Sequence, residues 1–190
     1  MMKSIYALDN TENLLTPSLI FYEDLIRQNT RQMIRLAGQA RTEDGPGPDG
    51  KMPAANEAEG VRRLWPHIKT HKSLDMTRLL MSYGIRQFKA ATIAEAEMCC
   101  MAGADRVLLA YPLIGPNMER LLKLQLAYPS TILYGLEDDQ EQFVLLSRTI
   151  GRMKKEGLVP LSFDLPVLID VDLGQGRTGV PLSDLKAMVR

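Results

Sequence analysis

The chain is short of the residues that would staple it, coat it with one charge or bury it in a lipid bilayer. It has two cysteines in 190 residues, and they are neighbours, Cys99 and Cys100. Adjacent residues on a helix point in different directions, so a bond between them needs unusual geometry. A disulfide framework is therefore excluded, and both residues read as reduced, helix-packing thiols of a cytoplasmic protein. An excess of one charge is also missing: 23 Lys and Arg balance 23 Asp and Glu. A nucleic-acid footprint normally shows as clustered Lys and Arg on a net basic domain. Here the densest basic stretch, Arg62-Arg63 followed by Lys69 and Lys72, is interrupted by His67 and His71. No apolar run approaches the roughly 20 residues needed to cross a bilayer. Met1 to Asn10 holds no apolar stretch long enough for the core of a signal peptide. Nucleic-acid and membrane partners are not expected.

What is present suffices for a folded core. Apolar residues make up 45% of the chain, and the length suggests one domain. Short apolar runs alternate with amphipathic ones. Strands are expected at Ser18–Tyr22, Leu64–Lys69, Arg86–Ala91, Asp105–Tyr111, Ser130–Tyr134 and Leu165–Asp172. Helices are expected at Glu23–Ala37, Ser73–Tyr83, Ile93–Ala102, Asn117–Ala127 and Asp138–Lys155, with Gly84 and Gly103 as helix stops. In the last of these, Phe143, Leu146, Ile150 and Met153 share a face. Between Gly38 and Gly60 the chain is dense in Gly, Pro, Asp, Asn and Glu, including Gly45-Pro46-Gly47-Pro48-Asp49-Gly50. Neither helix nor ladder tolerates that composition, so it reads as a surface loop or a disordered insert.

Strand-helix alternation argues for a parallel sheet covered by helices. Val107-Leu108-Leu109 and Val167-Leu168-Ile169 are continuous apolar runs, as in parallel strands buried on both faces. A β/α barrel and an open doubly wound sheet both fit this pattern.

Two segments carry chemistry. In Trp65-Pro66-His67-Ile68-Lys69-Thr70-His71-Lys72, an extended strand puts His67, Lys69 and His71 on one face. A lysine at the carboxyl end of a barrel strand sits where catalytic residues gather. Desolvation there would favour the neutral amine that Schiff-base chemistry requires. The plainer reading is a strand-end lysine pointing to water. A joint metal site is disfavoured, because His67 and His71 would lie about 13 Å apart along a strand. The second segment is Asp170-Val171-Asp172-Leu173-Gly174-Gln175-Gly176-Arg177-Thr178-Gly179-Val180. Its glycines match G-x-G-x-x-G between a strand and a helix, a pattern that can cradle a pyrophosphate. The alternative is a tight glycine turn with Asp172 and Arg177 paired across it.

Together these residues resemble a known family. Pro66-His67-Ile68-Lys69-Thr70-His71-Lys72 is similar to the Arg-Pro-His-x-Lys-Thr-His-Lys signature of D-threonine aldolases and D-serine dehydratases, which are alanine-racemase-like, fold-type III pyridoxal-phosphate enzymes. Thr16-Pro17-Ser18-Leu19-Ile20 with Asn29, Ala91-Thr92-Ile93-Ala94-Glu95-Ala96-Glu97, and Val171 to Gly179 resemble three further segments in the same order. The resemblance implies the amino-terminal part of a TIM-like (β/α)8 barrel of the alanine racemase type. It would span residues 1–190, with about five of the eight strand-helix units and a polar loop insert at about 41–60.

By the same resemblance Lys69 is the catalytic residue and forms the internal aldimine with pyridoxal 5'-phosphate. His67 neighbours the cofactor, and Arg177 donates to its phenolic oxygen. The implied activity is a metal-assisted lyase acting on D-3-hydroxy amino acids, of aldolase or dehydratase type. A divalent metal, zinc or manganese, would be held by residues beyond Arg190, as would the cofactor's phosphate, and the partners would be a small D-amino acid and a second copy of the chain. Trp65 departs from the family pattern by standing where arginine is usual. Alternatives are an amino-acid racemase, a pyridoxal-phosphate-binding protein without catalysis, an inactive truncated fragment and a dinucleotide-binding protein.

Overall fold

The computed structural model describes residues 6–9, 11–39 and 56–188. The chain divides into two compact units, residues 1–60 and 61–190.

In the first unit a 3-10 turn at Thr11–Asn13 leads through extended chain to helix α1, Glu23–Gly38. Glu23 and Asp24 lie in its first turn and Arg35 in its last, matching the helix dipole. Thr30, Ile34 and Gly38 form its buried stripe. The strand expected at Ser18–Tyr22 does not form: Leu19, Ile20 and Phe21 stay exposed and have no ladder partner among the described residues. β-propensity alone does not make a strand without a neighbour to pair with. Helix α2, Glu57–Arg63, begins inside the stretch read as a loop. Gly38 and Gly60 are needed there, because a Cβ on either would collide with the backbone of Asn56 or Ile34. Residues 40–55, most of the expected insert, lie outside the described residues.

The second unit is built on a four-stranded parallel sheet. Its strands are β1 (Gln87–Ala90), β2 (Arg106–Leu109), β3 (Ile132–Glu137) and β4 (Val167–Ile169), in the order β1-β2-β3-β4. Helix α3 (Leu74–Met81) precedes β1. Helices α4 (Ile93–Ala102), α5 (Pro116–Ala127) and α6 (Gln140–Lys155) connect successive strands. Neighbouring strands follow one another in sequence with no reversal of order, as in an arc of a singly wound sheet; a doubly wound sheet reverses.

Local chemistry explains where these helices start and stop. Ser73, Thr92 and Asp139 cap α3, α4 and α6, each accepting from a backbone N–H three residues on. Gly103 closes α4 at φ +88°, a conformation that costs glycine nothing.

The strand register sorts side chains onto two faces. Phe88, Val107 and Leu133 align across β1, β2 and β3 and are fully buried; each contributes about 1.5–3 kcal/mol by leaving water. Lys89, Leu108 and Tyr134 align on the opposite face. Leu146 and Met153 of α6 are buried as expected, but Phe143 is exposed. β4 is less covered than its apolar sequence implied, with Leu168 42% exposed. It pairs with β3 on one side alone among the described residues, and burial on both faces requires covering that an edge lacks. Cys99 and Cys100 are free and buried on α4. Burial pushes their thiols up to about 12 and about 11, so they pack as small apolar groups.

After β4 come two short parallel strands, β5 (Val171–Asp172) and β6 (Val180–Pro181), then helix α7, Leu185–Met188. The glycine loop thus joins strand to strand, and the next helix starts well beyond Gly179. A dinucleotide site needs a helix amino terminus at the loop, so that reading lacks its geometry. Among the described residues no helix is long and apolar enough to cross a membrane.

Candidate active site

Lys69 does not lie on a strand. Only His67 pairs with β1, through an isolated parallel bridge to Lys89, and the Lys89 N–H donates to the Pro66 carbonyl at 2.9 Å. The chain then turns into a 3-10 helix, Ile68–Thr70. The N–H groups of His71 and Lys72 both donate to the Ile68 carbonyl, at 3.1 and 2.8 Å. Ile68 is fully buried and anchors the turn, while Lys69 is exposed rather than desolvated. Alternation along a strand would have kept Lys69 in line with both histidines; the turn leaves His67 and Lys69 lining one cavity and His71 outside that lining.

Both histidines accept a backbone hydrogen bond at Nδ1. His67 Nδ1 accepts from the Lys69 N–H at 3.4 Å, and His71 Nδ1 accepts from the Ser73 N–H at 3.1 Å. Each acceptance leaves the proton on Nε2. Burial lowers both imidazoles below their usual range. Lys69 adds to the effect at His67, while Glu95 opposes it at both.

The cavity, about 710 Å³, lies at the carboxyl ends of the strands, where α/β proteins bind ligands. His67, Lys69 and Lys89 line it, and Leu108, Ala110 and Leu136 supply apolar surface. Asp170, Asp172, Gln175, Arg177 and Thr178, from the segment after β4, line the same cavity. The structure thus brings His67, Lys69 and Arg177 to one cavity. Arg177 does not pair with Asp172 across the loop. Asp172 accepts from the N–H groups of Gly174 and Gly176 at 2.9 and 3.0 Å, and these amides hold its carboxyl below the usual range.

Sequence reasoning missed Lys89 and Tyr111 as cavity residues, and it gave Asp170 no role beyond its place in the glycine segment. Lys89 carried a usable signal, a lone charge within a short buried strand, Gln87-Phe88-Lys89-Ala90. Trp65 packs edge-on against Tyr134, ring centroids 5.8 Å apart, so the residue replacing the usual arginine makes an aromatic contact. Among the described residues no group of three or more His, Cys, Asp or Glu could hold a metal ion.

No protein-family model and no curated protein matches the chain. Solved structures do. A D-threonine aldolase from Filomicrobium marinum aligns over 87% of this chain and 37% of its own length, with a TM-score of 0.63 and 24% identity. An Ala racemase-like protein from Idiomarina loihiensis aligns over 87% of this chain and 36% of its own, with a TM-score of 0.57 and 20% identity. The chain therefore spans under two-fifths of the length of these structures, and what it shares with them is their fold.

Proposed function

We propose that this chain is part of a pyridoxal-phosphate-dependent lyase for D-3-hydroxy amino acids, with Lys69 as the residue that carries the cofactor. The observation that supports this reading is that Lys69 and Arg177, 108 positions apart in sequence, both line one cavity at the strand ends. The residues suit the group. The volume falls in the usual range for small-molecule sites. Leu108 and Leu136 offer apolar surface to a flat ring, and Lys69, Lys89 and Arg177 suit an anionic one.

A pyridoxal phosphate bound there would supply an electron sink for charge developing at the substrate's α-carbon. The amine of Lys69 would hold the group, and as a free amine beside the cavity it could accept or return a proton at that carbon. The His67 imidazole accepts at Nδ1, so its Nε2 would be left to donate to a bound group. Arg177, which lines the same cavity, would donate to an oxygen anion of the group and favour its deprotonated form. A divalent metal and a homodimeric assembly enter the proposal through family resemblance alone.

Treating the pyridoxal-phosphate-loaded protein with borohydride and mapping its peptides should place a pyridoxyl label on Lys69. A label on Lys72 or Lys89 instead would sink the assignment. A racemase is the second reading, favoured by the likeness to an Ala racemase-like protein. Product analysis with D-threonine, D-serine and D-alanine separates the two: carbon–carbon cleavage or loss of the β-hydroxyl marks a lyase, and the L-enantiomer marks a racemase.

A further inference from the structure

Glu95, on the first turn of α4, is a buried carboxylate with no part in the reaction proposed above. It helps cap α4: its own N–H donates to Thr92 Oγ1 at 3.2 Å, and its Oε2 accepts from the N–H of Ala91, one residue before the cap, at 2.7 Å. Capping uses one carboxylate oxygen. The other, Oε1, has no hydrogen bond and lies 3.4 Å from Nζ of Lys72. The Glu95 side chain is 6% exposed and that of Lys72 is 66% exposed, so the lysine reaches in from solvent to meet a buried charge.

Lys72 is the one non-glycine residue at positive φ among the described residues, at +47°. That conformation is unfavourable for a lysine and persists where its surroundings hold it. The Lys72 N–H closes the turn by donating to the Ile68 carbonyl at 2.8 Å, three residues beyond Lys69. Backbone strain, turn closure and ion pair therefore coincide at one residue. A glutamine at position 95 would cap α4 equally well, so the cap leaves the carboxylate's charge unexplained; the lysine-bearing turn explains it.

We propose that Glu95 is a positioning residue for Lys69: its ion pair with Lys72 holds the Ile68–Thr70 turn so that Lys69 faces the cavity. This rests on the cofactor role of Lys69 proposed above. The groups that feel the Glu95 charge are His67, His71 and Lys72 on the turn and Cys99 one turn along α4.

The test uses three variants. Glu95→Gln keeps an acceptor for the Ala91 N–H and loses the charge. Lys72→Asn loses the ammonium and leaves a residue that tolerates positive φ. Lys72→Arg keeps the pair. Two readouts are taken: NMR titration of His67 and His71 without cofactor, and affinity for pyridoxal phosphate.

In Glu95→Gln both histidines should titrate at lower pH than in the parent protein. Glu95→Gln and Lys72→Asn should each weaken pyridoxal phosphate binding roughly tenfold, with no further loss in the double variant, as for two halves of one interaction. Lys72→Arg should bind as the parent does. Unmoved histidines together with parent-like affinity in Glu95→Gln would overturn the proposal, as would losses that add in the double variant. Should Glu95→Gln fail to fold, the Lys72 pair decides: loss in Lys72→Asn with recovery in Lys72→Arg supports the proposal, and parent-like affinity in Lys72→Asn overturns it. If the parent protein takes no label at Lys69, the cofactor reading fails, while the histidine titration still judges whether the Glu95 charge reaches the turn.

Discussion

Two buried glutamates, Glu95 at the start of α4 and Glu137 at the end of β3, are served differently. Glu95 accepts from the Ala91 N–H and faces Lys72. Glu137 is fully buried, and neither of its carboxylate oxygens completes a hydrogen bond. Burial, aided by Asp138 and Asp139 and opposed by the nearby Leu113 amide, pushes Glu137 up to about 7. Its backbone still does structural work: the Asp170 N–H donates to the Glu137 carbonyl at 3.0 Å, and the Gly179 N–H donates to Asp138 Oδ2 at 3.1 Å. Two glutamates of similar burial thus play opposite parts. One faces a lysine beside the Lys69 turn; the other is an acid whose burial raises it to about 7, next to a loop tied down through its neighbours.

The largest effect that would break this comparison is expected at Gly179. Its φ is +95°, and an added Cβ would lie 2.6 Å from the Asp172 backbone nitrogen. Gly179→Ala should cost roughly 2–4 kcal/mol, from strain and collision together, and denaturant melts would measure it. A loss below 1 kcal/mol would mean the loop is free to move away from β5.

Next comes pH. Because the folded protein holds the Glu137 proton above its ordinary value of 4.5, this group's contribution to stability is fully present below 4.5. It is lost as pH rises through about 7. Glu137→Gln should remove that part of the slope, so the variant gains on the parent protein as pH climbs. Melts at a series of pH values check it, and a stability difference independent of pH would show that Glu137 is ionised or solvated in the folded state.

Smaller effects sharpen the contrast. Thr92→Ala removes the α4 cap and should cost about 1 kcal/mol. It should also disturb the Lys69 turn through Glu95, visible as a change in the histidine titration. Arg177 is exposed and its neighbouring amides are satisfied by Asp172, so Arg177→Ala should leave the melting temperature within about a degree of the parent. Its effect belongs to activity, which should fall more than affinity for pyridoxal phosphate does.

Much of the frame was legible in the sequence. Helix α4 falls on the bounds read from its pattern, Ile93–Ala102, because Thr92 and Gly103 are strong local signals at its two ends. β1 and β2 fall inside their expected spans, since short apolar runs between capped helices leave few choices. The stretch around Lys69 did not follow its pattern. Leu64 to Lys69 reads as a strand, yet only His67 finds a ladder partner, and the chain tightens into a turn once Ile68 is buried. Lys89 was overlooked because its charge marks it as unusual in a short buried strand without showing which face of that strand meets a cavity.

By itself the sequence determined the local elements and the chemistry available to them: caps, glycine stops, periodic apolar faces, and a lysine and an arginine in recognisable company. These depend on neighbours a few residues apart, which any stretch of chain carries with it. The tertiary structure alone decided that Lys69 and Arg177 face one cavity, that Lys89 joins them, and that Glu95 meets Lys72 while Glu137 meets no partner. Those outcomes join residues dozens of positions apart, and the burial and charge of each depend on how the strands and turns pack.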